Sequence, residues 1–151
     1  MRVPYISFML NSQQVMKRTV RSEFGEVTVR ETGFVYARVF PGAEINIKEA
    51  KEYHYMVSHL SKSKPHVTVL DISGIKYISK DSREFLSQNS NEWRKTIAVA
   101  LIVKSFTARM VANFFLTVNK PDYPIRAFTD TLSAQQWAKS EYWKFSARAV
   151  S

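Results

Sequence analysis

Two largely apolar runs constrain this chain more than anything else in it. Residues 97–103 read IAVALIV, and residues 66–72 read HVTVLDI. A half-exposed strand alternates apolar and polar side chains, whereas residues 97–103 are apolar throughout and residues 66–72 are a short, mostly apolar run. They fit inner strands covered on both faces, as in a largely parallel sheet flanked by helices.

The segments around them supply the rest of the pattern. Residues 24–30 alternate toward Val27 and Val29, and residues 34–40 alternate again. Glu31-Thr32-Gly33 joins them, with Gly33 free to take positive φ, so a β-hairpin is predicted. Pro41-Gly42 ends it. Over residues 47–61, Ala50, Tyr53, Val57 and Leu60 recur at helical spacing, and Met56 widens the apolar face. Lys48, Glu49, Lys51 and Glu52 fall mainly on the other side. A polar helix is predicted from Ser79 to about Trp93. A bulky one over residues 106–118 follows the cap Ser105. Residues 125–128 form a short strand. The last helix covers residues 131–143, with Leu132, Ala134, Trp137 and Ala138 on its apolar side. The order β-β-α-β-α-β-α-β-α predicts an α/β fold. Its mixed sheet has about five strands, a β-hairpin followed by alternating helices and mainly parallel strands.

At 151 residues the chain is long enough for one well-filled core. Residues 24–143 form the expected domain, residues 1–23 an N-terminal extension and residues 144–151 a C-terminal tail. The opening lacks a small-residue cleavage site and reads as non-secretory. No apolar run reaches the ~20 residues of a membrane-spanning helix. The chain has no cysteine, which excludes disulfides, thiolate catalysis and cysteine metal sites, and favours a cytoplasmic home. The net charge of +9 favours an anionic partner, unless it simply keeps the surface solvated. The basic residues are scattered and no DNA- or RNA-binding signature accompanies them, so nucleic acid is not the expected partner.

The stretch LDISGIKYIS, residues 70–79, together with the element order, resembles the STAS domain of SpoIIAA-like anti-sigma-factor antagonists. Asp71, Ile72, Ser73, Gly74 and Ile75 match that family's D-L-S-G-V strand end, and Tyr77 and Ile78 its aromatic-apolar pair. The following D-S-S-G is not kept. Ser79, Lys80, Asp81 and Ser82 stand there, with Asp81 at the position of the phosphorylated serine. The segments NFFLTVNKPDYPIRAFTD and AQQWA resemble an uncharacterised bacterial SpoIIAA-like subgroup. The resemblance implies the SpoIIAA-like sheet and a regulatory role without the phosphoacceptor hydroxyl. Asp81 then reads either as a permanently phosphate-like charge or as an ordinary first-turn acid on the helix dipole. Ser79 reads as an N-cap bonding the N–H of Ser82.

Polar groups recur at three strand ends: Asp71 and Ser73; Ser105 and Thr107; Thr129, Asp130 and Thr131. Such ends line the ligand crevice of parallel sheets, and the same residue types also cap turns and helices. His54 and His59 are poorly spaced for a shared metal, and no zinc pattern includes His66. Four glycines and no P-loop leave no cradle for phosphates. No catalytic set, metal or cofactor is expected. The sequence supports a non-enzymatic regulatory or protein-interaction domain, with a protein partner or a second copy of the chain. Its interaction loop would comprise Asp71, Ser73, Gly74, Ser79, Asp81 and Ser82. The alternative is a carrier of a small apolar or lipid-like ligand between the sheet and helix 106–118, lined by Ser105, Thr107, Met110, Asn113 and Phe114. A small hydrolase built on the strand-end groups is the weakest reading.

Overall fold

The alternating hairpin and the two buried runs meet in one six-stranded sheet. The structure is a computed structural model that describes residues 17–88 and 95–149. Strands β1 (Arg18–Arg21), β2 (Gly25–Glu31) and β3 (Phe34–Val39) are antiparallel neighbours. β4 (Ala43–Ile45) and helix α1 (Ile47–Ser61) follow. Then come β5 (His66–Asp71), β6 (Ile75–Ile78) and α2 (Lys80–Ser87). The chain continues through β7 (Thr96–Ile102), α3 (Phe106–Asn113), a π-helical turn (Phe114–Val118), β8 (Ile125–Phe128) and α4 (Thr131–Ala149). The sheet order is β1-β2-β3-β5-β7-β8, with β3, β5, β7 and β8 parallel. β4 and β6 form a separate parallel pair.

The two largely apolar runs are central because both sheet faces are covered. Leu70, Val99, Leu101 and Val103 pack with residues of α1 and α3. Val67, Val69, Ala98, Ala100 and Ile102 pack beneath α4. The small side chains Ala98, Ala100, Ala134 and Ala138 meet there, which lets the helix lie close to the sheet. α1 begins at Asn46, whose backbone N–H donates to the Glu49 carboxylate at 2.9 Å, half of a capping box. It ends where Lys62 and Ser63 adopt left-handed backbone, both with φ 55°, ahead of Pro65.

Three differences from the sequence expectation have physical causes. The six-stranded sheet takes in Arg18–Arg21, part of the segment assigned to the extension. Its RTVR pattern has one apolar residue, Val20, because an edge strand buries little. β4 and β6 are too short to show a period. α4 runs on to Ala149, six residues past the expected end, and within it the Tyr142 ring lies tilted against Phe34, ring centroids 4.7 Å apart. That contact also explains Gly33. Its φ is +90°, and a Cβ there would lie 2.3 Å from the Tyr142 ring. α2 ends at Ser87, whereas the expected end near Trp93 lies outside the described residues.

Candidate functional site

The end of β5 is tied down before the chain turns into β6. Asp71 accepts from the Ser73 backbone N–H at 2.9 Å, a local turn of the kind aspartate favours. The Ser73 hydroxyl accepts from the Lys104 backbone N–H at 3.0 Å, and the Ser105 hydroxyl donates to the Ser73 carbonyl at 2.9 Å. The ends of β5 and β7 are thereby linked. Ser105 also caps α3, accepting from the Ala108 N–H at 3.1 Å. Gly74 seats the turn on the chain after β3, where its carbonyl accepts from the Gly42 N–H at 2.8 Å.

A second cluster opens α2. The Ser79 hydroxyl donates to the Asp81 carboxylate at 2.5 Å. It also accepts from the Ser82 backbone N–H at 3.3 Å and lies 2.7 Å from the Ser82 hydroxyl. One proton given and two accepted exhaust a hydroxyl. Ser82 is fully buried, at 0% exposure, while Asp81 is exposed in the first turn. The expected cap bond from Ser82 to Ser79 is present. Arg83, next on the helix, donates to Ile78 O at 3.1 Å and to Asn119 Oδ1 at 3.2 Å, and its guanidinium lies 4.0 Å from the centre of the Phe114 ring. Asn119 thereby ties the end of the π-helical turn to α2.

The five residues expected to line a ligand do not converge on one enclosed space. Met110 is exposed on α3, and Phe114 lies under Arg83. Asn113 borders an open groove with Arg109, Thr129 and Asp130. Ser105 is a cap, and Thr107 sits half-buried in the first turn. Asp130 likewise starts α4. Its carboxylate accepts from the Ser133 N–H at 2.8 Å. Hydrogen bonds from Ser133, with the Lys104 charge as a smaller cause, hold this carboxyl below the usual carboxylate range.

The outer surface beside the two clusters is apolar where a polar one would be expected. Phe106 is 70% exposed, Met110 51% and Tyr77 50%. Phe106 and Met110 are four apart and share a helix face, and α3 packs beside β6, which carries Tyr77. Exposed Lys76, Lys80, Lys104 and Arg109 stand on the same elements and their flanks. Phe106 opens the bulky helix expected over residues 106–118, directly after the Ser105 cap, and lies outside the core.

Beneath this region is an apolar cavity of about 90 Å³ between the sheet and α1, α2 and α3. Val111 and Phe115 reach it from the α3 segment, and Ile72, Ile75 and Ile78 reach it from the loop. Left empty, a void of that volume costs about 2 kcal/mol at ~24 cal/mol per Å³. Thr68, on β5, was not singled out by sequence, because a threonine within a buried strand is ordinary.

Architecture and loop place the protein among mixed α/β domains with a hairpin-led, mostly parallel sheet. It belongs to the family described as "Domain of unknown function (DUF7793)", whose model matches residues 28–141. Among solved structures it is similar to an uncharacterized DUF3478-family protein with a SpoIIAA-like fold from Shewanella loihica PV-4. The two share 17% identity over 81% of this chain and 91% of that one, with a TM-score of 0.48. No curated protein matches the sequence. Among the described residues no helix is long and apolar enough to cross a membrane.

Proposed function

We propose that the chain is a protein-interaction domain whose docking surface is the loop of residues 73–81 together with the outward face of α3. The exposure of Phe106, Met110 and Tyr77 on adjoining elements carries this reading. Large side chains exposed together mark a surface that another molecule covers. An aromatic and methionine centre with a charged rim is the usual anatomy of such a surface. Lys76, Lys80, Lys104 and Arg109 supply the rim, so the partner is a protein presenting apolar anchors among acidic groups.

The hydrogen bonds around Ser73 and Ser79 support the same reading. They hold the loop in one shape before any partner arrives, which lowers the ordering cost of association. Asp81 carries its charge without phosphorylation, so the loop acts in a fixed state and needs no kinase step.

Affinity capture from the native cytoplasm tests this with four proteins: wild type, Phe106→Ser, Met110→Ser and Leu132→Ser. Leu132 is 64% exposed on α4 and serves as the distant control. A partner retained by wild type and Leu132→Ser, and weakened at least tenfold by Phe106→Ser and Met110→Ser, supports the surface. Identical retention by all four rejects it.

A further inference from the structure

We propose that the groove between α3 and the start of α4 binds a small zwitterion with an apolar side group, an apolar amino acid being the simplest case. The topology opens this groove. β7 and β8 are parallel neighbours, yet the helices that follow them leave on opposite faces of the sheet. α3 packs with Val99 and Leu101, and α4 with Ala98 and Ala100. Strand ends whose helices part in this way border a crevice, the usual ligand position in parallel α/β sheets. The groove offers about 500 Å³, within the ~300–1,000 Å³ of small-molecule sites.

Its lining sets the chemistry. Arg109 and Asn113 reach it from α3, and Thr129, Asp130 and Ser133 from the start of α4. Among the described residues the Arg109 side chain makes no ion pair or hydrogen bond, although Asp130 borders the same groove. The Asn113 amide is likewise without a hydrogen bond there. The Asp130 carboxylate accepts from the Ser133 N–H at 2.8 Å and has further lone pairs to offer. The Lys104 charge acts on it without a salt bridge. A bare anion drawn to Arg109 would meet the Asp130 charge, and a bare cation drawn to Asp130 would meet Arg109. A molecule carrying both charges satisfies both residues. Val103, Leu116, Ala127 and Phe128 supply an apolar patch for its side group.

The backbone is unusual at this wall. After Asn113 the chain enters the π-helical turn, where the Asn119 N–H donates to Phe114 O at 2.6 Å and the Thr117 hydroxyl donates to Asn113 O at 2.7 Å. Such turns are rare and recur at functional sites. This one begins between Asn113 and Leu116, both of which border the groove.

The test uses the full chain in ¹H–¹⁵N shift titrations with three probes: leucine, N-acetylleucine, which lacks the ammonium, and leucinamide, which lacks the carboxylate. Leucine is expected to shift the Asn113, Thr129, Asp130 and Ser133 amides saturably, and the other two to bind about fivefold more weakly. Arg109→Gln is expected to weaken leucine about fivefold and to leave leucinamide within twofold. Asp130→Asn keeps an N-cap side chain and is expected to weaken leucine about fivefold while leaving N-acetylleucine within twofold. The absence of saturable shifts with leucine overturns the proposal, as does leucine binding that either variant leaves unchanged. Arg109 also stands on the rim of the docking surface and Asp130 does not, so loss of leucine binding in Asp130→Asn is read independently of partner capture.

Discussion

Gly74→Ala tests whether the loop is held as closely as the geometry requires. A Cβ on Gly74 would lie 2.8 Å from Pro41 N, 2.9 Å from Phe40 C and 2.9 Å from Pro41 Cα. Ordinary contacts begin at 3.4 Å, so a shift of about half an ångström or more is forced. The obstructing atoms are backbone and cannot rotate away. They are fixed by the Phe40 N–H bond to Phe24 O at 2.8 Å and the Gly42 N–H bond to Gly74 O at 2.8 Å. Overpacking of this kind costs roughly 1–3 kcal/mol. Alanine also restricts the unfolded chain, which returns about 0.4–1 kcal/mol where the backbone suits it. Gly74 qualifies, because its φ lies outside the left-handed region. The net expectation is a loss of about 1–2 kcal/mol, or roughly 2–8 °C in Tm for a domain of this size. Urea and thermal unfolding read it directly. A Gly74→Ala protein as stable as wild type, or more so, would refute the close approach. Gly42→Ala is the contrast: nothing lies within 4 Å, but φ is +83°, so its cost is conformational alone.

Other consequences concern the helix starts and acid stability. Ser79→Ala removes the acceptor for the Ser82 N–H and is expected to cost about 1–2 kcal/mol in urea unfolding, since Ser82 is buried and finds no water instead. A loss below about 0.3 kcal/mol would show that the cap is not formed. For Asp130 the folded pKa is depressed, so its charge contributes stability that is fully present above the unfolded value of 3.8 and is lost as pH falls through the folded one. Asp130→Asn retains an N-cap side chain without the charge. Its stability should therefore fall less steeply than that of wild type below pH 3.8, and matching pH profiles would contradict the assignment.

Much of the layer arrangement was legible because burial leaves a period in sequence. α1 begins and ends at the residues its spacing predicts, Ile47–Ser61, and β8 does so at Ile125–Phe128. IAVALIV identifies a strand covered twice, and β7 is that strand, displaced by one residue. The misses occur where little is buried or where contacts are distant in sequence. RTVR carries one inward side chain, and α4 packs through Tyr142 on Phe34, far away along the chain. The site was legible in part. Asp71, Ser73 and Gly74 stand out because a strand end needs turn chemistry, and Ser79 because a helix start needs a cap. Which residues of the α3 segment face the sheet was not legible. Phe106, Met110, Val111, Phe114 and Phe115 are all large and apolar, so composition alone does not separate wall from surface.

That ambiguity bears on how the loop could act. A switch at a helix start needs groups that are free to answer a change of charge. Here the Ser79 hydroxyl already gives its proton to Asp81 and accepts from Ser82, so the first turn satisfies itself. Arg83, on the same helix, is turned toward Ile78 O, Asn119 and Phe114. A charge at Asp81 thus has its local answer built in, whereas Phe106, Met110 and Tyr77 have none among the described residues and stand in water. On the proposed reading, what this surface offers a partner is apolar shape within a basic rim. Ile72, Ile75 and Ile78 line both the loop segment and the cavity wall beneath it, so a change of packing there reaches the loop without adding a charge to it.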